Sequence, residues 1–208
     1  MTDRYTAIIW DFDGVIIASM HVRDDAFRYA LEGYPEEEVE ALVRYHRANG
    51  GLSRFHKFEH FYVKIRNESV TDERILELAD AFSDYCVQRL MKPVCLIEES
   101  IRFIREHYKR TAFHIASGSA EVELNKICEA LGIRDYFGDV RGSPTPKVDL
   151  VAEIIRDNRL EKERTALVGD AGNDFEAATL NGITFYGYRN EHLRGRGIYL
   201  EDINTLPV

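Results

Sequence analysis

The first patterned stretch of the chain is an apolar run, Thr6 to Trp10 (TAIIW), which stops at Asp11-Phe12-Asp13-Gly14. A short, partly β-branched apolar run ending in polar residues predicts a buried central strand with the carboxylates at its C-terminal tip. From residue 20 to 91 the apolar spacing changes to three and four. This predicts helices over 20–32, 35–48, 54–66 and 71–91, broken at Gly33, at Gly50-Gly51 and across 67–71, with Thr71 as the last N-cap. Beyond Pro93, helix and strand patterns alternate: helix 97–108, strand 111–116, helix 120–131, strand 138–141, strand 165–169, helix 173–181 and strand 183–187. Thr145 is read as the cap of another helix, with Pro146 in its first turn and Lys147 near its start.

That order predicts an α/β fold: a Rossmann-like parallel sheet core with helices on both faces and an inserted all-helical cap. The core is expected from residues 1–16 and 94–208, and the cap from 17–93. The tail from Arg194 carries no pattern, and its Arg-Gly-Arg-Gly reads as a surface loop.

Composition narrows the functional classes. The 208 residues are 45% hydrophobic, enough to bury a core, and the net charge is -9, which argues against general attraction to nucleic acid or anionic lipid. No segment reaches the roughly 18 apolar residues of a membrane span. Three cysteines, Cys86, Cys95 and Cys128, in no regular spacing read as reduced thiols packed in a core. A cytoplasmic protein with a small-molecule partner is expected; the sequence does not speak to oligomeric state.

Ligands of open parallel sheets bind beyond the carboxyl ends of the strands. Three predicted strand ends here carry polar groups: Asp11 and Asp13, Ser117-Gly118, and Asp170 and Asp174, with Lys147 adding a cation at a helix start. Four carboxylates converging on one point repel unless a hard cation joins them, and oxygen-only ligation favours Mg²⁺.

These residues resemble the four motifs of the haloacid dehalogenase superfamily, in the family's order. Asp11-Phe12-Asp13-Gly14-Val15 resembles the first motif, Ser117 the second, Lys147 the third and Gly169-Asp170-Ala171-Gly172-Asn173-Asp174 the fourth, over about residues 6–187. The helical insertion stands where the family's first-type cap belongs.

The resemblance implies a phosphoryl-transfer site. Asp11 would be the nucleophile, giving an acyl phosphate, and Asp13 the acid and then the base, with a pKa raised towards neutrality by its acidic neighbours. Mg²⁺ would be held by Asp11, Asp170, Asp174 (directly or through water) and the Asp13 carbonyl, while Ser117, Gly118 and Lys147 grip the phosphoryl oxygens. Relatives that cleave carbon–halogen bonds lack the second aspartate, so Asp13 points to phosphate-ester hydrolysis. Ala18, at a position often aspartate in capped relatives, and Asn181, where a small residue is usual, depart from the pattern.

The cap segment from Arg44 to Arg66 holds six basic residues, Arg44, Arg47, Arg54, Lys57, Lys64 and Arg66, against Glu59 alone. Gly51-Leu52-Ser53-Arg54 resembles the cap loop of β-phosphoglucomutase, where the arginine holds a sugar's non-reacting phosphate. Arg54 is therefore expected to bind substrate, and a sugar phosphate is the expected substrate class. Tyr45, Phe55, Phe58, Phe61 and Tyr62 are expected in the cap core, one or two of them lining the cleft. His56 and His60 have helical spacing for a transition metal but no obvious third ligand. Two other readings share the motifs. A phosphosugar mutase would return the phosphoryl group to substrate, and a phospho-accepting switch would not need so large a cap.

Overall fold

The computed structural model describes residues 5–208; residues 1–4, counted with the core by sequence, lie outside them. The first strand, β1 (Ala7–Trp10), is wholly buried and lies at the centre of a six-stranded sheet. The others are β2 (Ala112–Ala120), β3 (Val140–Ser143), β4 (Thr165–Gly169), β5 (Thr184–Tyr188) and β6 (Ile198–Leu200), in the order β3-β2-β1-β4-β5-β6 with every pair parallel. Trp10 lies opposite both Ile115 and Val168, so β1, β2 and β4 run to the same edge in register. That register delivers Asp11, Ser117 and Asp170 to one place.

Side chains alternate across the central strand, and each face has its own apolar partners. Ile9 joins Leu167, Phe185 and residues of α7 (Lys147–Asp157) and α8 (Gly172–Asn181) on one face. Ile8 and Trp10 join the other face with α5 (Glu98–His107) and α6 (Glu121–Ala130), and this cluster continues into the insertion.

The insertion is helical throughout: α1 (Met20–Ala30), α2 (Glu36–Ala48), α3 (Arg54–His60) running into a π-helical turn over Phe61–Arg66, and α4 (Asp72–Leu90). Phe27 centres its core, its ring 5.3 Å from Phe58 and 4.6 Å from Phe82. The two connections to the sheet run side by side. Ile97 N–H donates to Ile16 at 2.9 Å and Ala18 N–H to Cys95 at 2.8 Å. Ala18 contributes its backbone there, and its side chain is exposed. Asn181 ties α8 to α7 by donating to the Val148 carbonyl at 2.9 Å, work a small residue cannot do.

Thr71 caps α4 as its sequence predicts. Thr145 does not cap α7: Pro146 itself holds the cap position, and no side chain accepts a helix N–H there. The tail, featureless in sequence, adds β6 to the sheet edge and buries Leu200, Ile203 and Leu206. Three residues are too few to show a period, and only pairing with β5 makes them a strand. All three cysteines are free; burial pushes the Cys86 and Cys128 thiols up to about 12. Among the described residues no helix is long and apolar enough to cross a membrane.

Candidate active site

The strand ends assemble one buried polar cluster. Carboxylate oxygens of Asp11, Asp170 and Asp174 lie within 4.8 Å of one another, the one such grouping of three potential ligands among the described residues. Lys147, first residue of α7, donates to Asp11 Oδ1 at 2.7 Å and also to Asp174 Oδ1. Asp174 is anchored further by the Ala171 N–H at 2.9 Å, and Ser117 is fully buried within β2.

Electrostatics in this cluster follow from burial and crowding. Burial first, then the Asp174 charge, push the Asp11 carboxyl up to about 7 against the pull of Lys147. Burial and the charges of Asp11 and Asp174 hold Asp170 well above the carboxylate range. The Lys147 ammonium resists burial because Asp11 and Asp174 stabilise it, so it stays charged. An all-oxygen donor set whose carboxyls repel one another suits a hard divalent cation, which would remove that repulsion.

Asp13 behaves differently from its sequence expectation. Burial raises its pKa, but the Arg23 charge and hydrogen bonds from Arg23, Ser119 and Ser19 outweigh it, holding the carboxyl below its ordinary value. Arg23 Nε donates to Oδ1 at 2.8 Å, Ser119 Oγ donates to Oδ2 at 2.6 Å, and Ser19 Oγ completes the ring. Its acidic neighbours were expected to raise it; a cation in direct contact outweighs them. The Asp13 side chain stands outside the grouping of Asp11, Asp170 and Asp174, which leaves its backbone carbonyl for a metal.

Sequence reasoning missed Arg23, Ser19, Ser119 and Glu123. Ser119 had a signal only in its nearness to Ser117, because β2 is irregular between Ala116 and Ala120 and simple alternation does not hold there. Arg23 and Glu123 had none. They lie a hundred residues apart, yet Arg23 donates to Glu123 at 2.7 Å, joining α1 of the cap to α6 of the core.

The basic segment divides once folded. Arg47 pairs with Asp24 and Arg66 with Glu38 and Glu68, while Arg44 and Lys64 are exposed. Arg54 and Lys57 are buried and line a cleft with Arg23, His46, Asp11, Asp13, Ser117, Gly118 and Asp170. The cleft is partly open to solvent. Arg54 Nε donates to the Ala79 carbonyl at 3.0 Å. The aromatic rings lining the cleft are Phe27 and Phe82. Phe58, Phe61 and Tyr62 are buried as expected and Tyr45 and Phe55 pack against them, but none of the five lines it. His60 stacks on Tyr45 at 3.6 Å and His56 meets its hydroxyl at 3.2 Å, an aromatic cluster with no acidic or thiol ligand grouped with it.

The cap loop lies directly on the core. Gly51, at φ +78°, crosses Gly118 so closely that a Cβ on Gly118 would overlap the Gly51 carbonyl. Gly118→Ala is therefore expected to hold the cap open. The expected fall in kcat/KM is about ten- to a hundredfold, the penalty of misplacing groups by about an ångström. A matching rise in protease cleavage at residues 16–18 and 95–97 is expected, and unchanged kinetics would contradict the closure.

His46 gives a separate expectation for stability. Burial, with the charges of Lys57 and Arg23, lowers its pKa from 6.5 to about 2, so the folded protein keeps it neutral where the unfolded chain takes a proton. Its contribution is present above pH 6.5 and is lost as pH falls. Between pH 6.5 and 5 this costs up to about 2 kcal/mol. Denaturant unfolding across that range should be less pH-dependent for His46→Gln than for wild type; equal slopes would contradict the assignment.

This fold and constellation define a hydrolase class. A family model for haloacid dehalogenase-like hydrolases matches residues 5–182, and the chain belongs to that family. Its structure is similar to a predicted phosphatase from Clostridium acetobutylicum, at TM-score 0.77 and 17% identity over 98% of this chain and 97% of that one. It is also similar to β-phosphoglucomutase from Clostridium difficile, at TM-score 0.75 and 17% identity over 97% and 93%. A third is a mutant of CbbY from Rhodobacter sphaeroides in complex with xylulose-(1,5)bisphosphate, at TM-score 0.76 and 17% identity over 98% and 100%. A comparison with curated proteins by sequence gives no match.

Proposed function

We propose that this chain is a phosphatase that hydrolyses a small phosphate monoester, a sugar phosphate by preference, through a phospho-aspartate on Asp11. The observation that carries the reading is the convergence at the sheet edge of Asp11, Asp170 and Asp174 around Lys147, with Asp13 and Ser117 lining the adjoining cleft.

An Asp11 oxygen attacks phosphorus, the bond to the leaving oxygen breaks, and Asp13 supplies the proton that oxygen needs. Water then attacks the acyl phosphate, loses its proton to Asp13, and frees Asp11 and phosphate. Asp13 is an anion in the free protein. A phosphoryl dianion arriving beside it disfavours that charge and promotes the protonated form. Ser19, Ser119 and Arg23 fix its orientation meanwhile. Ser117, the Gly118 amide and Lys147 hold the phosphoryl oxygens, and Arg54 holds the far part of the substrate. Asp11, Asp170, Asp174 and the Asp13 carbonyl would hold Mg²⁺, which would supply charge neutralisation between the anionic nucleophile and the anionic substrate. The division into a core of 1–16 and 94–208 and a cap of 17–93 belongs to this reading, as does a cytoplasmic setting for three free thiols.

The structural likeness to a predicted phosphatase and to a protein crystallised with a sugar bisphosphate supports the substrate class. A mutase is the second reading, favoured by Arg54 in the cleft and by the likeness to β-phosphoglucomutase. Turnover of a panel of phosphorylated metabolites, read as free phosphate, tests the choice. Continuous phosphate release with a hydroxylamine-trappable acyl phosphate on Asp11 is expected; isomerised phosphoester without phosphate release identifies a mutase.

A further inference from the structure

Lys57 is a buried amine with no carboxylate in contact with it. It is 3% exposed, and among the described residues no acidic oxygen lies within 4.0 Å of its Nζ. Its one hydrogen-bond partner is His46 Nδ1 at 2.9 Å, a neutral acceptor, which leaves two ammonium hydrogens without a protein acceptor. The other cap cations in the cleft each have an acidic neighbour: Arg23 lies between Asp13 and Glu123, with its Nη2 left unpartnered, and Arg54 Nε donates to the Ala79 carbonyl while its Nη1 stands 3.9 Å from Glu123.

The lysine is also positioned. His46 Nδ1 accepts from Lys57 at 2.9 Å, and on its far side His46 Nε2 stands 3.8 Å from Asp24 Oδ1, beyond hydrogen-bond reach, while Arg47 donates to Asp24 Oδ2 at 2.7 and 2.9 Å. His46 therefore carries its proton on Nε2, towards Asp24. A contact between two cap helices, His46 to Lys57, sets the amine against the cleft.

Burying an amine without a charged partner is unfavourable, and an apolar side chain there would avoid it. A counter-ion that arrives with the substrate explains both the burial and the orientation. We propose that Lys57, oriented by His46, is the seat of a second anionic group, a carboxylate or phosphate at the end of the substrate remote from the transferred phosphoryl. The inference rests on the phosphatase reading and adds to it that the substrate is anionic at both ends. The cleft is itself polarised this way, with Asp11, Asp170 and the phosphoryl-binding groups on the core side and Lys57 on the cap side. Burial and the Arg23 charge draw the Lys57 amine down to about 7, a penalty that a bound anion would reverse.

Matched substrates test this. Wild type with Mg²⁺ is assayed on 3-phosphoglycerate against glycerol 3-phosphate, on fructose 1,6-bisphosphate against fructose 6-phosphate, and on 4-nitrophenyl phosphate, which has no second anion. In at least one pair the doubly anionic member is expected to be favoured about ten- to a hundredfold in kcat/KM, and the pair that responds identifies carboxylate or phosphate. Lys57→Met should bring that ratio to within about twofold of unity and leave 4-nitrophenyl phosphate turnover within about threefold, while Lys57→Arg keeps part of the preference. No preference in either pair, or one that survives in Lys57→Met, overturns the inference. So do equal losses on every substrate in both variants, which give Lys57 a structural role. Failure of wild type to release phosphate from any of these compounds is a different result and overturns the phosphatase reading itself.

Discussion

Asp11→Asn is expected to lower kcat by on the order of a thousandfold or more while leaving the protein as stable as wild type, or more so. The two effects come from the same atom. Asp11 is 3% exposed, and its backbone N–H is fixed to Val168 at 2.9 Å. Asparagine keeps the shape and an oxygen for Lys147, but its amide is too weak a nucleophile to form the acyl phosphate. The substitution also removes one of three crowded carboxylates that repel one another, the crowding that helps lift Asp11 to about 7. Steady-state turnover of the best substrate and thermal unfolding of both proteins measure the two arms. Activity within tenfold of wild type defeats the nucleophile assignment, and a large stability loss would place Asp11 in the fold instead.

Chelation with EDTA should abolish turnover, and Mg²⁺ should restore it. Asp11 and Asp170 cannot both be ionised around a phosphate without a cation, and Ca²⁺, with its larger and looser shell, should substitute poorly. The pH dependence has a definite sign. Asp11 with a pKa of about 7 is mostly ionised above that value and mostly protonated below it, so Mg²⁺ binding below pH 7 must displace a proton. Affinity should fall by about tenfold per pH unit below 7 for each proton displaced. Calorimetric titration at pH 8 and pH 6, in buffers of different ionisation heat, reads both affinity and proton release. Undiminished activity in EDTA, or tighter Mg²⁺ binding at pH 6, would contradict the site.

Stability and chemistry conflict at this site. Three carboxyls and a lysine sit in a space that apolar side chains would fill at lower free energy, and Lys57 repeats the pattern on the cap side. Sites held against such repulsion and desolvation are where functional groups concentrate.

The amino-acid sequence by itself determined the architecture and the core of the site. A five-residue apolar run ending in Asp-Phe-Asp-Gly leaves few structures but a buried strand with acids at its tip, and the alternation after Pro93 makes the sheet parallel. Strand ends are local features, so Asp11 and Asp170 were legible; Ser117 was read as following its strand, although β2 runs on to Ala120. The tertiary structure alone decided what each group experiences. Arg23, in the first turn of α1, reaches Asp13 just past the end of β1, reversing the expected direction of the Asp13 pKa. Lys57 meets His46 across two helices, and the basic cap segment separates into four residues at the surface and two in the cleft. Periodicity encodes which side of an element is buried, whereas electrostatic environment depends on which residues of distant elements arrive within a few ångströms. No local pattern in the chain carries that.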